Sequence, residues 1–401
     1  MAHLLYDFQY LFGESLCTGQ IDPFEIYRLT IGDEVSLLSI KWAASNNLID
    51  KSYITYTSSV GRLDCLIYLH KEAYQWDFET CSSAAANGHL DCLIYLHEQG
   101  CPWNWKTTEK AAENGYLNCL TYAHENGCPW DASTCYEAAF NGHLDCLTYA
   151  HENDCVWNEV TCQAAARSGH LECLIYLHEQ GCPWNEGTCN TAAASGHLNC
   201  LIYLHENECP WSQGTYFAAV KNGHLDCLKY LHEEGCPYSN QICRVAIIHN
   251  QLDCLKYIHK ASKQSLLGCF KTAAIHGRLD CLIYLYEQDC PRDEFSLDMA
   301  AMYGHLECVK YLYSNNFPCT WRTLMSASRN GHLDCVQYLV RVSCPWNEIS
   351  LNMAAMYGHL ECVKYLVRKG CPWSEATYDV AIKSAHLNCA QYLIEKGCPT
   401  N

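Results

Sequence analysis

The sequence predicts an all-α fold, an α-solenoid of about 13 short helical hairpins with little or no β-hairpin, and three observations predict it. A cysteine recurs at Cys65, Cys92, Cys119, Cys146, Cys173, Cys200, Cys227, Cys254, Cys281, Cys308, Cys335, Cys362 and Cys389, every gap being 27 residues. A tyrosine follows three residues later and a leucine stands two residues earlier in all 13 copies. The apolar positions around each cysteine fall at helical spacing. Independent domains would not hold such a register. Stacked repeats must, because each one has to fit its neighbours.

The best-formed copy runs from Cys182 to Glu208, CPWNEGTCNTAAASGHLNCLIYLHENE. Asn185, like Asp77, Asp131, Ser212 and Ser374 in other copies, stands where a side-chain oxygen can accept a free backbone N–H at a helix start. Acidic residues such as Glu159, Glu186 and Glu348 follow, which suits the positive end of a helix dipole. Trp184 and Cys189 have the spacing of a hydrophobic staple. The first helix of the pair, helix A, is predicted to run through Ala192 and Ala193 to Ser195, where Gly196 ends it by taking positive φ. Glycine holds that place in 11 of 13 copies, Asn250 and Ala385 being the exceptions. Helix B is predicted over Leu198 to about Glu206, with Leu198, Cys200, Leu201 and Leu204 on one face.

The pattern AAxxGHLxCLxYL resembles the AAxxGHLxVVxLLL core of the ankyrin repeat, over roughly residues 47 to 397. In its period and its Cys-Pro-Trp loops it is similar to the short ankyrin repeats of large DNA viruses of amoebae and of some protists. The period is 27 residues where the ordinary ankyrin repeat has about 33, and Thr-Pro-Leu-His is absent. The missing six residues are those that make the ankyrin β-hairpin finger, so short loops are expected. The resemblance implies a non-catalytic protein–protein interaction scaffold. A viral origin implies a host-cell protein as partner and the host-cell cytoplasm as site.

Two regions are expected: a helical cap over residues 1–46, which show no clear repeat, and the repeat solenoid over 47–401. As a docking element, residues 1–46 suggest an alternative function, a substrate-recruiting adaptor for a ubiquitin ligase, although the Leu-Pro-x-Glu opening of an F-box is missing. The loss of Cys-Pro-Trp at 261–268 suggests a kink.

The chain has 31 cysteines. Besides the helix-B series there is a loop series ahead of proline (Cys101, Cys128, Cys155, Cys182, Cys209, Cys236, Cys290, Cys344, Cys371, Cys398) and a staple series (Cys81, Cys135, Cys162, Cys189, Cys243). A Cys/His-rich metal- or redox-buffering protein is the other alternative. Packing is the better expectation, since cysteine behaves as a small hydrophobe. Equivalent cysteines in adjacent repeats should lie about one helix spacing apart, roughly 8–10 Å, too far to bridge. No Cys-x-x-Cys pair offers two thiolates to one zinc. No metal, no cofactor and no structural disulfide are therefore expected, and the thiols suit the reducing cytoplasm or nucleus. Eight histidines, His70, His97, His124, His151, His178, His205, His232 and His259, follow the helix-B cysteine by five residues and give way to Tyr286, Tyr313, Val340, Val367 and Ile394, which marks a half-buried interface position.

The formal charge of −18 argues against nucleic acid as partner. No apolar run approaches the ~18 residues of a membrane span, and Met1 to Phe12 do not read as a signal peptide. No phosphate loop, His-Glu-x-x-His or Gly-x-Ser-x-Gly is present, so no catalytic residue is assigned.

Variation among the copies separates core from surface. Eight residues before the helix-B cysteine, 12 of 13 copies have alanine. The positions ten and six before it vary freely, and their spacing puts them on one stripe of helix A. The partner-binding residues predicted on and beside that stripe are Trp105, Tyr136, Phe140, Arg167, Phe217, Arg244, Met302, Met325 and Met356, with Trp321 at the rim. Residues 72–220 carry 19 acidic and 3 basic side chains, a balance that would steer a basic partner surface there.

Overall fold

A computed structural model describes residues 37–45, 49, 51–262 and 266–399. Among them all regular structure is helical. They fall into two compact bodies, one reaching to Ala192 and including Asn199–Pro210, the other made of Ala193–Leu198 with the chain from Trp211 onward. Most of the cap expected over 1–46 lies outside the described residues; Leu37–Ser45 is a helix.

In the first body the helix pairs include Phe78–Ala86 with Leu90–Glu98, Trp105–Glu113 with Leu117–Glu125, and Ala132–Asn141 with Leu144–Glu152. Each helix A packs on its own helix B and on the next helix A. The second body repeats this with Ser296–Met302, Trp321–Arg329, Glu348–Met356 and Glu375–Lys383 as successive helices A. Glu186–Ser195 and Leu198–Glu206 form at the limits that the sequence predicts.

The reason for each helix start is visible in the bonds. Asp77 Oδ1 accepts from the Glu79 N–H at 2.9 Å while the Asp77 N–H donates to Thr80 Oγ1 at 3.5 Å, a reciprocal box that satisfies two orphan donors. Asn158 with Thr161, Ser212 with Thr215 and Thr320 with Thr323 do the same. The core beneath is made of small side chains. Cys81, Ala84 and Ala85 of one helix A and Cys92, Leu93 and Leu96 of its helix B are all buried. Alanine at the contact lets the axes approach closely, and each buried leucine contributes about 1.5–3 kcal/mol.

The Gly-His dipeptide joins neighbouring repeats. Gly142 has φ 79° and ends Ala132–Asn141. A Cβ there would lie 2.4 Å from Nδ1 of His170 in the next repeat, so glycine is required both for its backbone and for the ring beside it. Asn250 and Ala385 take the same left-handed conformation without glycine, at φ 62° and 60°.

The loop cysteines do more than fill space. The thiol of Cys101 donates to the carbonyl of Asp77, the helix-A cap of the preceding repeat, at 3.3 Å. Cys128 and Asn104, Cys155 and Asp131, and Cys182 and Asn158 repeat this at 3.2–3.3 Å in the first body. Cys371 and Asn347 and Cys398 and Ser374 repeat it at 3.5 Å in the second. In return the staple thiols of Cys135 and Cys162 point at the carbonyls of Cys155 and Cys182, at 3.9 Å.

One pair corrects the expectation that no cysteines bridge. In the repeat that reads Phe-Pro-Cys in place of Cys-Pro-Trp, Phe317 fills the buried loop-cysteine place and Cys319 stands where other repeats have tryptophan. Cys319 is disulfide-bonded to Cys344 of the next loop, with Cα atoms 5.9 Å apart. The bridge joins two unlike positions of adjacent repeats, so the spacing between equivalent cysteines does not forbid it. At the irregular stretch 261–268 the preceding helix continues to Ser262, residues 263–265 lie outside the described residues, and Leu266 is buried.

Candidate partner-binding face

Two surfaces emerge from the helix pairs. On the helix-B side of the first body an aromatic bracket recurs. His97 stacks on Trp103 with ring centroids 3.9 Å apart and an interplanar angle of 12°. Its Nδ1 shares a hydrogen bond with the hydroxyl of Tyr122, one repeat on, at 3.0 Å. His124 with Trp130 and Tyr149, His151 with Trp157 and Tyr176, and His178 with Trp184 and Tyr203 reproduce this set. The ring partners of Trp184 are thus His178 and Tyr203, a role beyond the staple read from spacing. Burial pushes the Tyr122, Tyr149 and Tyr176 phenols up, which keeps them protonated and able to donate. This accounts for both the histidine and the tyrosine series.

In the second body the bracket changes. His232 meets Tyr216 Oη at 3.3 Å where Tyr238 replaces tryptophan. His259 still pairs with Tyr284 at 2.9 Å. Tyr313 instead donates to the Val342 carbonyl at 2.9 Å.

The other surface is the variable side of helix A. In the first body Trp105 is 40% exposed, Arg167 is exposed, and Tyr136 and Phe140 are half-buried and stacked with centroids 5.9 Å apart. Between them lie Ala138 and Ala139, both fully buried. Glu109, Glu113 and Glu137 flank the aromatic pair, with Lys110 bonded to Glu113. Burial, then Glu113 and Glu109, hold the Glu137 carboxyl above the usual carboxylate range. In the second body Phe217 and Met356 are exposed, and Met302 and Met325 are half-buried. Arg244 is exposed but engaged, its Nη2 donating to the Leu267 carbonyl at 3.2 Å.

Sequence reasoning missed Tyr303 and Tyr357, which are 48% and 41% exposed at the ends of their helices A. Arg329 Nη2 donates to Tyr357 Oη at 3.0 Å, and its guanidinium lies 5.1 Å from the ring centroid. The signal was available. Asn87, Asn114 and Asn141 at this position turn back to a carbonyl four residues earlier, and tyrosine cannot.

The helix-B thiols are chemically quiet. Burial pushes Cys146 and Cys173 up to about 12 and Cys119 and Cys200 up to about 11, so they are protonated at neutral pH and poor nucleophiles or metal ligands. Among the described residues no three His, Cys, Asp or Glu side chains converge as a metal site would need. No described helix is long and apolar enough to cross a membrane.

The family model of ankyrin repeats in three copies matches residues 269–352 and 324–401. Residues 269–401 are ankyrin repeats. Ankyrin repeats are in general protein-interaction modules, and the typical family member is non-catalytic. The helix pairs between Lys51 and Ser262 repeat the same 27-residue period, so the ankyrin-like hairpin is the building block in both bodies. No curated protein matches the chain.

Proposed function

We propose that the chain is a non-catalytic scaffold that binds a partner protein through the variable side of its helices A. One observation carries the reading. Tyr136, Phe140, Phe217, Met302 and Met325 reach solvent from helices whose neighbouring Ala138, Ala139, Ala219, Ala300 and Ala327 are sealed in the core. Large apolar groups on an idle surface would be costly, whereas partner-binding faces are anchored by them. The acidic balance of residues 72–220 favours a partner with a basic surface. The many buried free thiols favour a reducing compartment, the cytoplasm or the nucleus. If the viral resemblance holds, the partner is a host-cell protein.

The test is affinity capture from the native cell with the full chain and with Phe140→Ala plus Phe217→Ala. The reading expects the same prey to be lost from the double variant. Unchanged capture removes the face assignment.

A further inference from the structure

On the helix-B side of the second body the aromatic bracket is left incomplete. A groove of about 760 Å³ opens there, lined among others by Tyr338, Val340, Arg341, Trp346, Tyr365 and Lys369. Its volume falls within the range of about 300–1,000 Å³ usual for ligand clefts. The repeat register explains why it is open. Val340, Trp346 and Tyr365 stand in the places that His97, Trp103 and Tyr122 hold in the first body. There the imidazole fills the space between indole and phenol, stacked at 3.9 Å on one and hydrogen-bonded at 3.0 Å to the other. Valine has no plane to stack and no acceptor to offer. Trp346 therefore lacks its ring partner, and the Tyr365 hydroxyl has no partner within the described residues.

The charge at the rim is reversed as well. Glu98 and Asn126 of the first body correspond to Arg341 and Lys369 here. Both cations lie against tyrosine rings, Arg341 5.5 Å from the Tyr338 centroid and Lys369 5.8 Å from that of Tyr365, and among the described residues neither is in an ion pair. Lys310, also at the groove, is paired with Glu307 at 2.6 Å, and Asp334 is the one acidic lining residue. A slot flanked by two cations thus replaces a filled slot flanked by one glutamate and one asparagine.

We infer that this groove binds an acidic peptide segment of a partner protein. One planar side chain of that segment takes the place of the missing imidazole on Trp346. Carboxylates on either side of it meet Arg341 and Lys369. The site is separate from the helix-A face and adds a second point of attachment.

The probe is a dye-labelled heptapeptide with three glutamates on each side of a central phenylalanine, followed by fluorescence anisotropy on the full chain. Wild type should bind it and should bind the all-glutamate and the lysine-flanked versions about tenfold more weakly. Val340→His restores the residue of the first eight repeats, fits the fold and fills the slot, so it should weaken binding about tenfold. Arg341→Glu plus Lys369→Glu should abolish it. Phe140→Ala plus Phe217→Ala should leave it unchanged, which separates this site from the helix-A reading. Binding by Val340→His equal to wild type overturns the inference. So does a single-stranded oligothymidylate that binds where the peptide does not.

Discussion

Thr323 Oγ1 donates to Asp298 Oδ1 at 2.5 Å across two successive helices A, with Asp298 only 6% exposed. Two repeats further on, Thr377 Oγ1 donates to Asn352 Oδ1 at 2.6 Å in the same register. The fold thus holds a charged and a neutral solution to one contact. Burial pushes the Asp298 carboxyl above its ordinary range, outweighing the Thr323 hydrogen bond. A raised folded value means that folding favours the protonated form, so this carboxyl's contribution to stability is greatest at low pH and is lost as pH rises through the ordinary and then the folded value. Asp298→Asn keeps the acceptor and removes that loss. It should stabilise the second body by about 1 kcal/mol at neutral pH, with the gain vanishing near pH 4. Thermal melts across pH check this; a destabilised variant at pH 7 contradicts it.

The Cys319–Cys344 bridge predicts a thiol count. Denatured but unreduced protein should show two fewer titratable thiols than reduced protein, and Cys319→Ser should erase the difference. Equal counts before and after reduction would show that the bridge is absent in solution.

Gly142 and Gly127 have nearly the same φ, 79° and 81°, but only Gly142 has a neighbour in the way. Alanine at Gly127 should cost about 1–2 kcal/mol for the left-handed backbone alone. Alanine at Gly142 should cost about 1–3 kcal/mol more because it strikes the His170 ring. Adding His170→Ala should recover most of that excess. Chemical denaturation of the three variants measures it, and equal costs at both glycines would dismiss the inter-repeat contact.

The His97–Trp103 stack predicts a coupling. A double-mutant cycle with His97→Val and Trp103→Ala should return about 0.5–1.5 kcal/mol. Valine suits the test because Val340 and Val367 occupy this position in later repeats. Strict additivity would mean that the rings touch without interacting.

The helix limits, most of the caps and the sealed alanine positions could be read from the sequence because they obey local rules that recur from copy to copy. Asn185 as a cap and Gly196 as a stop need only their own neighbours. What escaped were bonds between unlike positions of adjacent repeats. A period reveals which residues are equivalent, but not that His97 faces the tyrosine 25 residues ahead or that the Cys101 thiol reaches the Asp77 carbonyl 24 behind. Cys319 escaped for the same reason: its partner belongs to a different series. Tyr303 and Tyr357 escaped because the position they occupy is filled by a turn-capping asparagine in several other repeats and lies one residue beyond the variable stripe.

In the first body the His–Tyr and the thiol–carbonyl contacts between successive repeats each recur at a constant offset in chain number, 25 and 24 residues. Excising any 27 consecutive residues between Leu63 and Glu179 joins each cut end to its own counterpart, restoring the caps, the Gly-His contacts and the ring stacks one step down the array. Excising a length that is not a multiple of 27 sets unlike positions against each other where the two cut ends meet. The length of such a chain is therefore quantised, and whole cassettes can be gained or lost during descent without a new interface having to be invented.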